Sequence, residues 1–263
     1  MCGVFGVVLP PGGDQSAAAL ASLGLFALQH RGQESAGVAV SDGEQLMLYK
    51  DLGMIASVLD ERRLPSLRGG LAIAHCRYST TGSTVWENAQ PTFRLGPRRA
   101  LAIGHNGNLV NTRDLLAQLS GGRGRLPAST DTELLTALLA DEPAADTVDA
   151  LVRVLPRVHG AFTLVVLDER RVIGVRDPFG FRPLVLGRLP LPEPPDQLIP
   201  AERRLRGVAA LAFDEDAALQ VTRLPLLHRD PFDRMLISQA IAHSLAIVTP
   251  DPLIRQYPIR VIW

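Results

Sequence analysis

The sequence predicts an α+β protein with helices and strands arranged in layers, followed by a smaller α/β segment. In the first 188 residues, short strand-like runs come in groups with helical segments between them, which favours a layered α+β sandwich over a regular βαβ winding. After a proline-rich stretch that begins at Leu189, strand-like and helical segments alternate, as is typical of a small parallel α/β unit.

The first group of elements begins at the chain start. An apolar run over residues 1–8 predicts a strand, and Asp14 or Ser16 can cap a helix that continues to about His30. The apolar positions of this helix are Leu20, Leu23 and Ala27. Short runs bounded by turn residues then predict strands over 37–40, 46–49, 71–75 and 100–103.

Helices follow this group of strands. One is predicted to begin near Asn111 and Thr112. A second follows Thr130, with Glu133 placed for a capping box. The next predicted elements are a helix over 147–157, ended by Gly160, and consecutive strands over 161–167 and 171–175.

A domain boundary is predicted where prolines become frequent. The run LPLPEPP at 189–195 can sustain neither a strand ladder nor a helix. We therefore expect a first domain over 1–188, a linker over 189–200 and a second segment over 201–263. The predicted elements of that segment are helices over 214–222 and 230–244 and strands over 208–213, 245–249 and 259–263.

Composition and charge narrow the range of functions. Of 263 residues, 46% are apolar, which is enough to bury one large core or two modest cores. Lys plus Arg and Asp plus Glu each number 27, so no net field attracts nucleic acid or an acidic membrane as a partner. Two distant cysteines and no leader predict a cytoplasmic protein with free thiols. No apolar run is long enough to span a membrane, and a homo-oligomer is compatible with the sequence.

Cys2 is the first candidate for chemistry. If Met1 is removed, Cys2 carries both a thiol and a free α-amine, whose unperturbed pKa is about 8. The amine can then act as the base for the adjacent sulfur nucleophile. The alternative is a small, buried, apolar cysteine near the chain start, which is how we interpret Cys76.

Three further sites complement Cys2. The planar guanidinium of Arg77 suits a carboxylate, and Asn106 with the N–H of Gly107 can hold an oxyanion. Asp131 lies in the first turn of a predicted helix. Together these groups fit one substrate, glutamine, with its α-carboxylate on Arg77 and its α-ammonium on Asp131.

Each of these positions also has a plainer interpretation. Asn106 and Gly107 form a common hairpin-turn dipeptide, and Asp131 can be a helix cap. Arg77 and Arg31 can be surface or ion-pairing arginines. No two histidines have the spacing of zinc ligands on one element, so we interpret three of them as core or loop residues. These are His30, His75 and His105.

Seven motifs occur in the order found in a known family. Residues 1–187 resemble the N-terminal-nucleophile (Ntn) glutaminase domain of amidophosphoribosyltransferases, which is a class II glutamine amidotransferase domain. The motifs are MCG at 1–3, QHRGQESAG at 29–37, RYST at 77–80, NAQP at 88–91, HNGNL at 105–109, STDTE at 129–133 and RDPFGFRPL at 176–184.

The resemblance implies an αββα sandwich, incomplete because the family continues past residue 184 with strands that this sequence lacks. It implies glutamine hydrolysis through a Cys2 thioester, with Asn106 and Gly107 as catalytic oxyanion donors and with no cofactor. The implied substrate-binding residues are Arg31, which helps to order a closing loop, Gly32, Arg77 and Asp131. In de novo purine synthesis the family also uses a phosphoribosyltransferase domain, whose acidic pair and phosphate loop do not occur in this sequence.

Residues 190–263 resemble the C-terminal half of a PIN-domain ribonuclease of the toxin–antitoxin type. The motifs are LPL at 224–226, HRDPFDRMLI at 228–237 and LAIVTPD at 245–251. By position, Asp233 and Asp251 would be two of the carboxylates that hold Mg or Mn, and the others are absent. The alternatives to a glutaminase are therefore a metal-dependent ribonuclease, an antitoxin-binding module or an inactive chimeric product. The plainer interpretation of the tail is an inert fragment, in which Asp230 is a helix cap and the other aspartate lies in a loop.

Overall fold

The computed structural model describes residues 1–11, 16–60, 62–78, 83–119, 126–188, 200–201, 203–205, 207–228, 230–249 and 251–262. The chain forms two compact units, Met1–Leu186 and Gly187–Trp263. Several expectations lie outside the described residues: the cap at Asp14, Ser79 and Thr80 of the RYST motif, residues 189–199 of the proline-rich linker, and Trp263.

The first unit contains two antiparallel sheets of four strands each. In the first sheet the spatial order is β1, β4, β2, β3, with Gly3 opposite Cys76 and Gly37 opposite His75. In the second sheet the order is β5, β6, β7, β8. The strands of the first sheet are β1 (Gly3–Val8), β2 (Ser35–Ser41), β3 (Leu46–Leu52) and β4 (Leu71–Arg77). Those of the second are β5 (Thr92–Leu95), β6 (Ala100–Leu109), β7 (Gly160–Leu167) and β8 (Val172–Arg176).

Helices cover the outer face of each sheet. The first sheet packs against α1 (Ala17–Ala27) and α2 (Ile55–Val58). The second sheet packs against three helices, α3 (Thr112–Gln118), α4 (Asp131–Asp141) and α5 (Thr147–Val154). A separate apolar cluster lies between the two sheets and consists of Ala39, Ile73, Ala102, Val165 and Leu167. The unit is therefore an αββα sandwich, which confirms the layered α+β prediction.

Helix α1 ends earlier than predicted, and only some of its apolar residues are buried. Ser16 caps it, because its hydroxyl accepts the Ala19 N–H at 3.2 Å, but the helix ends at Ala27 and a 3₁₀ turn follows. Leu23, one of the apolar positions of the predicted helix, is 67% exposed. At Gly24 the helix lies too close to the sheet for a side chain, since a Cβ there would be 2.4 Å from the Phe5 ring. Its buried residues are Ala17, Ala18, Ala21, Ser22 and Leu25.

Strand β6 is much longer than the predicted 100–103 segment. It continues to Leu109, and Asn106 and Gly107 pair with Thr163 and Phe162 of β7. The hairpin-turn interpretation of Asn106 and Gly107 is therefore wrong. The polar run 104–108 lacks strand-like alternation, and only its pairing with the distant β7 makes it a strand. Strand β5 is absent from the sequence prediction for the same reason, because it depends on pairing with β6.

The predicted elements on the second sheet are otherwise confirmed within a few residues. Thr130 caps α4, since its hydroxyl accepts the Glu133 N–H at 3.3 Å. Helix α5 ends at Val154 rather than at 157, and residues 155–157 form a 3₁₀ turn. Strands β7 and β8 form the predicted hairpin, whose turn is closed by Asp168 as it accepts the N–H groups of Arg170 and Arg171.

Among its described residues, the second unit contains helical residues at 200–201 and 203–205, two longer helices and a parallel pair of strands. Its elements are α6 (Glu215–Arg223), α7 (Pro231–Ala242), β9 (Ala246–Val248) and β10 (Arg260–Ile262). Its small core is formed by Leu224, Ile237, Ile254 and Tyr257. Asp230 caps α7, since it accepts the Phe232 and Asp233 N–H groups. The strand predicted over 208–213 is wrong, because these residues are exposed and find no strand partner among the described residues.

No helix among the described residues is long and apolar enough to cross a membrane.

Candidate active site

Cys2 lies immediately before β1, at the edge of the first sheet. Because Gly3 pairs with Cys76, Cys2 lies beside the end of β4. Its Sγ is 3.5 Å from both the backbone nitrogen and the carbonyl oxygen of Tyr78, and its own carbonyl oxygen accepts Arg31 Nε–H at 3.0 Å. The chain start is therefore held by β4 on one side and by Arg31 on the other.

The surroundings of Cys2 act in opposite directions on its thiol. Burial raises the pKa of the Cys2 thiol, whereas the Tyr78 N–H, the α-ammonium group of the chain and Arg77 lower it, and the balance leaves the pKa raised. The thiol is therefore protonated at neutral pH, and attack on a substrate requires a base that removes the proton.

Arg31 and Gly32 bring a loop against β4. Arg31 lies in the 3₁₀ turn Gln29–Arg31. A Cβ at Gly32 would lie 2.6 Å from the Cys76 carbonyl oxygen and from the Arg77 carbonyl carbon, so only glycine allows this approach. The close packing at Gly32 is what places Arg31 against the chain start.

Arg77 is buried at the end of β4, so the interpretation as a surface arginine is wrong. Its Nη1 donates to the Ser83 carbonyl oxygen at 3.0 Å and lies 3.8 Å from Glu34 Oε2. Glu34 also accepts the Thr84 hydroxyl at 3.1 Å. The ion-pairing interpretation of Arg77 is thus confirmed.

Asn106 is buried in the middle of β6, and Gly107 follows it. A Cβ at Gly107 would lie 2.1 Å from the Ala161 carbonyl oxygen and 2.8 Å from His105 Nε2, so no side chain fits there. The backbone at Gly107 is therefore unshielded by a side chain of its own, which is the property expected of an oxyanion donor.

Asp131 is the first residue of α4, and Thr130, not Asp131, is its cap. Its Oδ2 accepts the Leu109 N–H at 2.9 Å, and its Oδ1 lies 3.7 Å from His105 Nδ1. Burial would raise the pKa of Asp131, but His105 and the N–H groups of Leu109 and Thr132 together hold it below its usual range. Asp131 is therefore a carboxylate at neutral pH.

A buried polar group around His105 was missed by sequence reasoning. His105 Nδ1 lies 3.0 Å from the Thr132 hydroxyl, which also accepts Gln90 Nε2–H at 3.1 Å. Gln90 Oε1 accepts the His105 N–H at 2.8 Å. The three residues join β6, α4 and the segment before β5. The only signal for Gln90 in the sequence was its place in the NAQP motif.

Hydrogen bonds of His75 and Asn88 connect the residues near Cys2 with those on β6 and α4. His75 on β4 donates from Nε2 to the His105 carbonyl oxygen at 3.0 Å. Asn88 donates to the Ser83 carbonyl oxygen at 2.9 Å and accepts the Ser129 N–H at 3.2 Å, which links the Arg77 partner to the start of α4. The predicted residues thus form two groups on neighbouring elements: Cys2, Arg31, Gly32 and Arg77, and Asn106, Gly107 and Asp131.

In the second unit, Asp233 and Asp251 both contact one imidazole. His228 Nε2 lies 3.3 Å from Asp233 Oδ2 and 3.4 Å from Asp251 Oδ2. His228 Nδ1 accepts the Asp230 N–H at 3.1 Å, so the proton of the neutral ring is on Nε2 and faces the two carboxylates. Among the described residues no group of three or more His, Cys, Asp or Glu can hold a metal ion. The metal site expected at Asp233 and Asp251 is therefore not supported.

Comparison with known proteins gives a consistent result for the first unit. Residues 75–192 match the family model described as a glutamine amidotransferase domain. Over 195 residues the chain is 51% identical to amidophosphoribosyltransferase of Mycobacterium leprae (strain TN), an alignment that covers 72% of this chain and 34% of the relative. The chain spans 34% to 40% of the length of such relatives.

Two solved structures share the fold. The allosteric regulatory enzyme of purine biosynthesis superposes with a TM-score of 0.62 at 37% identity, over 68% of this chain and 38% of that one. The glutamine phosphoribosylpyrophosphate amidotransferase from B. subtilis, complexed with ADP and GMP, superposes with a TM-score of 0.60 at 36% identity, with the same coverage of 68% and 38%.

The first unit is a glutamine amidotransferase domain with the Ntn-hydrolase-like, mixed α/β fold of these neighbours. The particular enzymes that it resembles are amidophosphoribosyltransferases, at 40% to 51% identity. The family match ends at residue 192 and gives no support to a PIN domain in the tail.

Proposed function

We propose that this chain hydrolyses glutamine to glutamate and ammonia through a thioester on Cys2. The observation that carries the proposal is the position of the Cys2 thiol at the chain start, beside the buried Arg77. The similarity of the surrounding domain to glutamine amidotransferases supports it.

The reaction begins after removal of Met1, which frees the α-amine of Cys2. This amine takes the thiol proton as Sγ attacks the side-chain amide carbon of glutamine. The side chain of Asn106 and the N–H of Gly107 stabilise the oxyanion that forms. The amine then passes the proton to the leaving nitrogen, and ammonia departs. Water attacks the resulting thioester, releases glutamate and restores the thiol.

Recognition of glutamine requires one group for each end of the amino acid. Arg77 provides a cation for the α-carboxylate, because its planar guanidinium suits bidentate binding of a carboxylate. Asp131 provides the anion for the α-ammonium, because its lowered pKa keeps it ionised at neutral pH. Arg31 and Gly32 hold the loop that borders Cys2.

The wider role follows from the relatives. We propose that the ammonia serves purine synthesis, as the glutaminase half of an amidophosphoribosyltransferase-like reaction. No cofactor is required by the chemistry of this half. Cys2 and Cys76 are both free thiols, which is compatible with a reducing cytoplasm.

The test is a glutaminase assay of the full chain after intact mass has shown that Met1 is removed. Cys2→Ser is expected to lose activity and to lose labelling by a glutamine-analogue electrophile. Cys76→Ala is the matched control, because it removes the other, fully buried cysteine and is expected to keep both properties. Equal activity in wild type and Cys2→Ser, or retention of Met1 in an active protein, would exclude this mechanism.

A further inference from the structure

A second arginine, Arg182, reaches the chain start. Its Nη1 donates to the Met1 sulfur at 2.7 Å. Arg31 Nη2 lies 3.9 Å from the same sulfur, while Arg31 Nε donates to the Cys2 carbonyl oxygen at 3.0 Å. Two guanidinium groups from distant parts of the sequence therefore border the first two residues.

The backbone that carries Arg182 is firmly held. The buried carboxylate of Asp177 accepts the N–H groups of Phe179, Phe181 and Arg182 at 3.0, 3.2 and 3.4 Å, and that of Phe162 on β7 at 3.3 Å. The Thr163 hydroxyl donates to the Arg182 carbonyl oxygen at 3.2 Å. The loop 177–182 is thus anchored on the second sheet and presents Arg182 in a defined place.

The guanidinium of Arg182 has a donor without a partner. Its Nε–H is buried and has no hydrogen-bond acceptor in the part of the chain that the structure describes. A buried donor left unpaired is costly, so a site that keeps one is usually built to meet another polar group. The same guanidinium contacts Met1, the residue whose removal creates the new chain terminus.

We propose that Arg182 is a positioning residue for the glutaminase reaction: once Met1 is removed, its guanidinium faces the α-amine of Cys2 and keeps that amine in its neutral, proton-accepting form. The inference rests on the proposed function, because it assigns a role to the amine as base. Arg182 makes no contact with the thiol among the described hydrogen bonds and acts through the amine.

The electrostatic argument follows from covalent geometry. Five bonds separate the Met1 sulfur from the Cys2 nitrogen, so the two atoms are at most about 6 Å apart. Arg182 therefore lies within reach of the new terminus. A nearby cation disfavours the ammonium form of an amine, and Arg31 acts in the same direction.

The other charged and titratable groups around Cys2 do not cancel this effect. Arg77 at the end of β4 adds positive charge, and Glu34, the one carboxylate among the groups that act on the Cys2 thiol, is paired with Arg77. Cys76 is neutral, because burial raises the pKa of its thiol to about 11. Around Cys2, three arginines, Arg31, Arg77 and Arg182, therefore lie beside one carboxylate, that of Glu34.

The first test is the pH dependence of kcat/KM for glutamine in the processed protein. Arg182→Gln is expected to move the acid limb to higher pH by about half to one unit, since the ammonium form becomes easier to populate. KM for glutamine and activity above the limb are expected to stay near wild type. Arg182→Lys keeps the charge and should restore the limb.

Arg176→Gln is the matched control, because the Arg176 side chain packs over Gly180 of the same loop. This variant is expected to keep the acid limb of the kcat/KM pH profile at its wild-type position. An unchanged limb in Arg182→Gln, or an equal loss of activity at every pH, would overturn the inference. The melting temperature of each variant separates such a loss from failure to fold.

A second measurement does not depend on activity. In the Cys2→Ser background, competitive acetylation of the α-amine followed by mass spectrometry gives the pKa of the terminus with and without Arg182→Gln. A higher pKa in the double variant supports the role of Arg182 even if no glutaminase activity exists, and an equal pKa refutes it. Absence of wild-type glutaminase activity would instead refute the proposed function.

Discussion

His75 Nε2 donates to the carbonyl oxygen of His105 at 3.0 Å, and this hydrogen bond joins β4 of the first sheet to β6 of the second. Arg77 is two residues beyond His75, and Asn106 is the next residue after His105. Together with the apolar cluster between the sheets, this hydrogen bond fixes the position of the strand that borders Cys2 relative to the strand that carries the proposed oxyanion donors.

The neutral state of His75 predicts a specific loss of stability in acid. Burial lowers the pKa of His75 to about 3, whereas the unfolded chain binds a proton near pH 6.5. Between these values the unfolded state holds the extra proton, so the free energy of unfolding falls as the pH drops, by about 1.4 kcal/mol per pH unit at most. Urea unfolding measured at several pH values between 7 and 5 gives the free energy of unfolding at each pH. This free energy should fall less steeply with decreasing pH in His75→Gln than in wild type. The exposed His159→Gln is the control, and an equal slope in wild type and His75→Gln would contradict the prediction.

Asp131→Asn is expected to weaken glutamine binding. The amide oxygen can still accept the Leu109 N–H, but the negative charge for the α-ammonium is lost. Removal of one charged hydrogen-bond partner predicts a rise in KM of about 10- to 100-fold, with a small change in melting temperature. Asp114→Asn, in the first turn of α3, is the control and should leave KM unchanged. A wild-type KM in Asp131→Asn would remove Asp131 from the substrate site.

Gly107→Ala is expected to destabilise the first unit and to abolish glutaminase activity. The added Cβ would lie 2.1 Å from the Ala161 carbonyl oxygen, so β6 and β7 must separate. Overpacking of this kind costs about 1 to 3 kcal/mol in the free energy of unfolding, measured by denaturant titration. Gly70→Ala, where no atom lies within 4 Å of the new Cβ, is the control. Full activity and wild-type stability in Gly107→Ala would show that β6 and β7 accommodate the added Cβ, which would contradict the prediction.

The second unit depends on a buried hydroxyl. Tyr257 accepts the His228 N–H at 2.8 Å and donates to the Pro225 carbonyl oxygen at 2.9 Å. Tyr257→Phe leaves both groups without this partner and should lower the unfolding free energy of this unit by about 1 to 3 kcal/mol. Thr222→Val removes an exposed hydroxyl that bonds only within α6 and should cost much less. Equal melting of the two variants would show that the Tyr257 hydroxyl is not structural.

Most of the helices, and the first strands, could be predicted from the sequence because their signals are local. Ser16 and Thr130 cap α1 and α4 as expected, and Asp230 caps α7, since a cap needs only a side chain and the next three residues. The candidate site residues could also be recognised from short stretches of sequence. A thiol beside the chain start, an arginine, an amide next to a glycine and a helix-start carboxylate can each be recognised one at a time.

The tertiary structure was required for every strand and charged group whose partner is far away in the sequence. Asn106 and Gly107 lie in a strand only because β7, over fifty positions later, supplies the ladder for β6. Residues 208–213 have strand-like residues, but they pair with no strand in the described part of the chain and form none themselves. The same holds for charge: Asp233 and Asp251 resemble metal ligands in sequence, and the fold places His228 between them.

The sequence by itself therefore determined the class of the protein, its layered first unit and the residue types of its site. Only the tertiary structure decided which polar groups meet: Arg77 with Glu34, Asp131 with Leu109, and Arg182 with the chain start. The physical reason is that propensities and caps act over a few residues, whereas pairing and burial bring together groups that are far apart in the chain.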